Sequence, residues 1–258
     1  DICGLASEPH VALNLPDRLV ISKPAGWEVS DQNLEDRQLL AFSRAISASR
    51  WEILGDTDHD HGFLHRLDVP SSGLILMAKT YEAHYDLKVQ LSAGEIARDY
   101  IVLCHSWVPP PSREINARVS WREEQATHAG GQGKPSRTML KVIAHAWHMG
   151  DASSLVAVRI ATGRQHQIRS HFSHMGHPTV SDGKYTAVAT FESDFLLCAQ
   201  NFLHRHRLAF KDLHGFAHEV LEPVPQDLVT TLLMLKARDE QSTGAVHLWL
   251  SGQGPRDW

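Results

Sequence analysis

Apolar residues in this chain fall into short runs set apart by turn-forming residues, and the runs sort into strands and helices. Leu19-Val20-Ile21 is an apolar run that stops at Lys23-Pro24-Ala25-Gly26, where proline and glycine predict a turn. Residues 73–78 (G-L-I-L-M-A) are continuously apolar, the pattern of a buried strand. Thr80 then predicts the N-cap of a helix running to Ser92, with Gly94 placed to end it. Residues 101–103 read as another strand, and Pro109, Pro110 and Pro111 bound the segment after it. Residues 122–133 (R-E-E-Q-A-T-H-A-G-G-Q-G) are polar and glycine-rich, so they read as a flexible loop. Residues 155–161 (L-V-A-V-R-I-A) predict a strand with Val156, Val158 and Ile160 on one face and Arg159 on the other. A helix is predicted over 163–175, closing at Gly176 ahead of Pro178, and a late amphipathic helix over 227–236. Strands and helices do not alternate strictly, which predicts an α+β fold.

Composition narrows the class. The 258 residues, 42% hydrophobic and 21% charged, suit a globular chain of one large or two intimate domains. Such a chain buries roughly 70–75% of its unfolded surface and needs no staple to fold. No apolar run approaches the ~20 residues of a membrane span, so no membrane partner is expected. The chain opens on Asp1 with no basic segment leading into an apolar one, so no signal peptide is expected, and whether the chain extends upstream of Asp1 stays open. Cys3, Cys104 and Cys198 are far apart and odd in number, which argues against a disulfide framework and for buried thiols in a reducing intracellular compartment.

Charge changes the picture more by place than by sum. The net charge of −5 counts all 18 histidines as neutral. At a pH near their ordinary pKa of ~6.5, half would be protonated, adding about +9. Residues 1–60 carry 11 Asp/Glu against five Lys/Arg. Residues 134–177 carry Lys134, Arg137, Lys141, Arg159, Arg164 and Arg169 against Asp151 alone, with six histidines. A cationic surface is therefore expected in the second half.

Two segments could carry chemistry. His65-Arg66-Leu67-Asp68-Val69-Pro70-Ser71-Ser72-Gly73-Leu74 is a charged loop feeding a buried strand. A carboxylate at such a junction is held rigidly and kept ionised by neighbouring cations, as a nucleophile or general base requires. The same Asp68 could equally cap local N–H groups in an Asx turn. In Gly163-Arg164-Gln165-His166-Gln167-Ile168-Arg169-Ser170-His171, a helix would put Gln165 one turn from Arg169 and face Ile168 and Phe172 to the core. Arg169 and His166 would then point outward, near a helix N-terminus that attracts anions. A solvated basic helix face is the alternative.

Taken together, these segments carry a resemblance. H-R-L-D-x-x-S-S-G-L resembles the H-R-L-D-x-x-T-S-G-L motif of the RluA-type RNA pseudouridine synthases. G-R-Q-H-Q-I-R-x-H with G-H-P-T-V-S-D resembles that family's G-R-T-H-Q-I-R-x-H and G-H-P-I-x-G-D. In the same order, Lys23-Pro24-Ala25-Gly26 matches K-P-A-G, Arg98-Asp99-Tyr100 matches K-x-Y, Lys134-Pro135-Ser136-Arg137-Thr138 resembles K-x-A-x-T, and Leu203-His204 resembles L-H-A. Among the departures, Val69-Pro70 replaces a usually polar pair and Pro70 removes one N–H; Arg98 replaces Lys, Gln165 Thr, Ser136 Ala, Ser181 Gly and Arg205 Ala.

The resemblance implies a bent, mixed, mostly antiparallel sheet with flanking helices and a central cleft. It places a catalytic domain at 17–238, after an extension at 1–16 and before a tail at 239–258. It implies isomerisation of uridine in ribosomal or transfer RNA to pseudouridine, without cofactor or metal, by a monomer. Asp68 would be the catalytic carboxylate, Arg169 its ion-pair partner, and Tyr100 the ring and hydroxyl set against the uracil. Arg66 would enter the stack that the extruded uridine leaves, beside His65. Lys134, Arg137, Arg164 and His166 would contact phosphates. Two other classes stay in view: an inactive RNA-binding module of the same fold, for which Pro70 speaks, and a metal-dependent hydrolase using Asp56-Thr57-Asp58-His59-Asp60-His61. A Ser-His-Asp hydrolase lacks its G-x-S-x-G elbow.

Overall fold

The computed structural model describes residues 8–30, 37–47, 50–120 and 127–252. Its elements run β1 (His10–Asn14), β2 (Arg18–Lys23), α1 (Leu39–Ser47), β3 (Ser72–Ala78), α2 (Tyr81–Ala93) and β4 (Ala97–His105). They continue through β5 (Glu114–Asn116), β6 (Arg118–Ser120), β7 (His128–Gly130), β8 (Arg137–His148) and β9 (Asp151–Ile160). The remainder is α3 (Gln167–His174), α4 (Val188–Leu197), β10 (Leu203–Lys211), β11 (Ala217–Leu221), α5 (Gln226–Met234), β12 (Lys236–Ala237) and α6 (Glu240–Leu250). The architecture is α+β, as the lack of strict alternation predicts. Among the described residues no helix is long and apolar enough to cross a membrane.

The chain divides into two compact units. The first comprises Asp1–Ala97 with Arg207–Glu222. Here β2 pairs antiparallel with both β1 and β3, and β11 pairs antiparallel with β10. The apolar run of β3 is buried at every position, so it has no polar face to show. Its core gathers Val20, Leu74 and Leu76 with Ala83 and Leu87 of α2. The helix α2 starts and stops where its end residues dictate. Thr80 Oγ1 accepts the N–H of Ala83 at 3.2 Å, and Gly94 takes the left-handed conformation at φ 73° that ends the helix.

The second unit comprises Arg98–His206 with Pro223–Trp258. β9 pairs antiparallel with β4 and with β8, and β8 also carries β5 and β12. Its core joins Ile101, Leu103, Leu155, Phe202, Leu228 and Trp249. Leu155 and Ala157 of β9 are buried as well as Val156, Val158 and Ile160. The strand is therefore covered on both faces, where the sequence pattern suggested one apolar face. Arg159 sits opposite Asp99 of β4, and its Nε and Nη2 donate to the two carboxylate oxygens at 2.6 and 2.7 Å. Cys104 and Cys198 are free and buried, and burial pushes both thiols up; Cys3 lies outside the described residues.

Two expected elements differ. The loop expected over 122–133 lies partly outside the described residues, but His128–Gly130 forms β7 against β6. Lys134 extends that pairing, with its N–H and C=O both bonded to Val119 at 2.9 Å. The helix expected from residue 163 begins only at Gln167. His166 stands at φ 49°, a left-handed conformation that a helix cannot run through, and Gln167 N–H closes a turn onto Arg164 O at 3.1 Å.

Candidate active site

In the first unit the loop that carries Asp68 is anchored by its backbone. Lys23, at the end of β2, is fully buried, and its ammonium donates to Trp27 O at 2.7 Å, Pro24 O at 3.0 Å and Val69 O at 3.3 Å. Gly26 donates its N–H to Val69 O at 2.8 Å from φ +80°, a conformation open to glycine at little cost. The K-P-A-G turn and the Asp68 loop are thus one hydrogen-bonded piece. Ser71 N–H donates to Asp68 O at 3.0 Å, which folds Val69 and Pro70 into a turn running into β3. The donor is the residue after Pro70, so the missing proline N–H removes nothing from that bond. Leu67 is buried beside Asp68, which is half-buried, and Arg66 points outward with its side chain 59% exposed. The contact of Arg66 with Glu28 is long, 3.5 Å. His65 is half-buried.

In the second unit Tyr100 is buried in β4, and its hydroxyl oxygen accepts from Arg205 Nε at 2.9 Å and from Arg205 Nη2. Arg98 shares the Tyr100 face of the strand, two residues away. Burial pulls its guanidinium down, with Tyr100 acting against that shift and Arg205 adding to it. Arg98 passes close to Gly163: a Cβ there would lie 2.9 Å from Arg98 Nη1, so the guanidinium would have to shift.

Arg169 is buried in α3 and does not point outward as the longer helix implied. Its Nε and Nη2 each donate to Asp182 at 2.7 Å, a bidentate pair with both side chains nearly free of solvent. Asp182 also accepts from Thr179 Oγ1 at 3.0 Å and Lys184 N–H at 3.1 Å. The guanidinium lies 5.2 Å from the ring centre of Tyr185, whose hydroxyl meets His166 Nδ1 and Thr127 N–H at 3.0 Å each. Burial raises the Tyr185 phenol. Ile168 and Phe172 face the core as their spacing predicts.

The smaller motifs are explained by what they bind. Gln167 donates to Arg137 O at 3.1 Å and Thr138 Oγ1 at 3.0 Å, while its own oxygen accepts from Thr162 and Arg164 N–H. His171 Nδ1 meets the same Thr138 hydroxyl at 3.0 Å. The 134–138 and 163–171 segments are therefore joined at Thr138, which is fully buried. Lys134 and Arg164 are exposed. Arg137 is exposed too, but its guanidinium already holds Glu114 at 2.7 Å. Asp182, Tyr185 and the anchoring role of Lys23 escaped the sequence reading. Asp182 closes the quoted G-H-P-T-V-S-D segment, but its burial against Arg169 is not written in its spacing.

The 56–61 segment links two short 3₁₀ helices, Glu52–Gly55 and Asp60–Gly62, through a turn. Both nitrogens of His59 are engaged, Nδ1 with Asp56 and Nε2 with Tyr85, each at 2.8 Å. Among the described residues no group of three or more His, Cys, Asp or Glu is arranged to hold a metal ion.

Fold and motifs agree with comparison to known proteins. The family model for RNA pseudouridylate synthase matches residues 17–174, and the chain belongs to that family. Among curated relatives it is 30% identical over 191 residues to the ribosomal large subunit pseudouridine synthase D of Yersinia pestis, covering 70% of this chain and 57% of that protein. The Escherichia coli (strain K12) protein of the same name is 30% identical over 201 residues, 73% of this chain and 60% of that one. The matched stretches thus span under two thirds of those relatives. Among solved structures, human RNA Pseudouridylate Synthase Domain Containing 1 superposes with a TM-score of 0.71 at 25% identity, over 98% of this chain and 99% of that one. Human RNA Pseudouridylate Synthase Domain Containing 4 shares the fold at 19% identity, with a TM-score of 0.62 over 88% of this chain and 93% of that one.

Proposed function

We propose that this protein isomerises uridine within RNA to pseudouridine, with Asp68 as the catalytic carboxylate. The observation that carries the reading is the Asp68 loop. It lies within the family match, runs into a fully buried strand, and is held at Val69 by Lys23 and Gly26. A carboxylate on so fixed a backbone can meet a sugar carbon repeatedly in one geometry. Tyr100 is the group we assign to the uracil and its proton, and Arg169 keeps the cationic role that the resemblance gives it.

A uridine inside folded RNA has to leave its stack first, at a cost of a few kcal/mol. Arg66, exposed and weakly tied, is the side chain we assign to the vacated space, with His65 beside it. Lys134, Arg137, Arg164 and His166 are assigned to phosphates, where they set register without reading sequence. The domain responsible is placed at 17–238, with β1 of the preceding stretch paired to β2 and Trp249 of α6 in the core of the second unit. We propose that it acts as a monomer, and no membrane partner is proposed.

The names of the two bacterial relatives make large-subunit ribosomal RNA the first substrate to test, with transfer RNA second. Pseudouridine mapping across RNA from cells with and without the gene tests this. A site lost with the gene supports the reading, and an unchanged map contradicts it.

A further inference from the structure

The surroundings of a phenolic hydroxyl decide which way its proton points. The oxygen of Tyr100 has two lone pairs and one proton to place. Arg205 directs Nε, at 2.9 Å, and Nη2 at that single oxygen, and its guanidinium carbon lies 4.9 Å from the ring centre. Arg205 is 2% exposed, on β10, at the position where the L-H-A pattern carries alanine. A small apolar residue therefore satisfies the resembled fold at this point. A buried guanidinium is costly to desolvate, more so with a second one, Arg98, close enough to feel its charge.

We propose that Arg205 is a positioning residue for the isomerisation, fixing the Tyr100 hydroxyl with its O–H turned away from the guanidinium. This rests on the reading of Tyr100 as the group that moves the uracil proton. In the net reaction the N1–C1′ bond breaks, the C5–C1′ bond forms, C5 gives up one proton and N1 takes one. To pass it, the hydroxyl releases its own proton toward N1 and, as the phenolate, takes the C5 proton on the lone pair so freed. An oxygen already holding two N–H donors gains negative charge at least cost, because the fork stands in place before the proton moves. Lysine could supply one such donor but not the planar pair.

The test compares Arg205→Ala, Arg205→Lys, Tyr100→Phe and the Arg205→Ala/Tyr100→Phe double variant. Each is assayed by tritium release from in vitro transcribed large-subunit ribosomal RNA labelled at uridine C5. Arg205→Ala is expected to lower kcat by about 10- to 100-fold with KM within about threefold, and Arg205→Lys to recover part of the loss. In the Tyr100→Phe background the same change is expected to cost no more than about threefold, because both substitutions remove one interaction.

Losses that multiply in the double variant, an effect confined to KM, or wild-type kcat in Arg205→Ala would each overturn the proposal. If Arg205→Ala does not fold by near-UV circular dichroism, Arg205→Gln and Arg205→Lys take its place against the same criteria. A wild-type rate in Tyr100→Phe would overturn the reading of Tyr100 itself. An impaired Tyr100→Phe beside an unimpaired Arg205→Ala would overturn Arg205 alone.

Discussion

Arg169 and Asp182 are each nearly free of solvent, so each is the other's replacement for water. Removing the guanidinium leaves the Asp182 charge buried without its ion-pair partner, which costs about 3–5 kcal/mol, whereas an exposed pair would cost under ~1 kcal/mol. Arg169→Ala is therefore expected to lower the denaturation midpoint as strongly as a core truncation. A midpoint unchanged from wild type in Arg169→Ala would show that the pair is not the support described. At this scale the sequence offers candidate residues and says little of their partners. Asp68, Tyr100 and Arg169 were named from motifs, and Arg205 was noticed only as a departure. Their hydrogen bonds could not be read, because Asp182 lies 13 residues from Arg169 and Arg205 lies 105 from Tyr100, distances that only the fold closes.

The elements show which local signals are sufficient on their own. Thr80 and Gly94 end α2 where they were expected to, since a cap acts within a few residues. Thr80→Ala is expected to cost about 1 kcal/mol in stability and leave kcat unchanged, measured by denaturant unfolding beside turnover. A change in kcat would mean that α2 reaches the chemistry. The start of α3 was misjudged by apolar spacing because His166 adopts a left-handed conformation, which periodicity does not encode. Lys134 and Arg137 follow the strand β7 that the glycine-rich pattern hid. Replacing both with Ala should reduce the salt slope of RNA binding by about 0.7 for each phosphate no longer neutralised. The reduction should fall between ~0.7 and ~1.4, because Glu114 already competes for Arg137. An unchanged slope would place the RNA elsewhere.

At the scale of the whole molecule, acid should find the weak points first in buried histidines. His84 is fully buried in α2, its ring nitrogens without a hydrogen-bond partner among the described residues, packed by His59 and Tyr85, with Lys88, Asp56 and Asp60 adding smaller fields. Burial holds its folded pKa below the ordinary value, and it does the same for His171. The unfolded chain therefore takes up protons below ~6.5 that the folded chain refuses, and stability falls as pH drops through that value. The slope should reach at most about 1.4 kcal/mol per pH unit for each histidine, and His84→Leu should flatten it. A stability flat between pH 7 and 5 would contradict this. The α+β class was legible because strand and helix patterns were strong and unalternating, whereas the division into two units was not, because β10 contributes residues to both.

The proposed isomerisation depends on one carboxylate, Asp68, on a loop held by Lys23 and Gly26. Its most direct test is pseudouridine formed by Asp68→Asn on the RNA that the wild type converts, with the thermal midpoint recorded alongside. An unchanged midpoint and no pseudouridine are expected. Substantial product from the folded variant would contradict that role for Asp68.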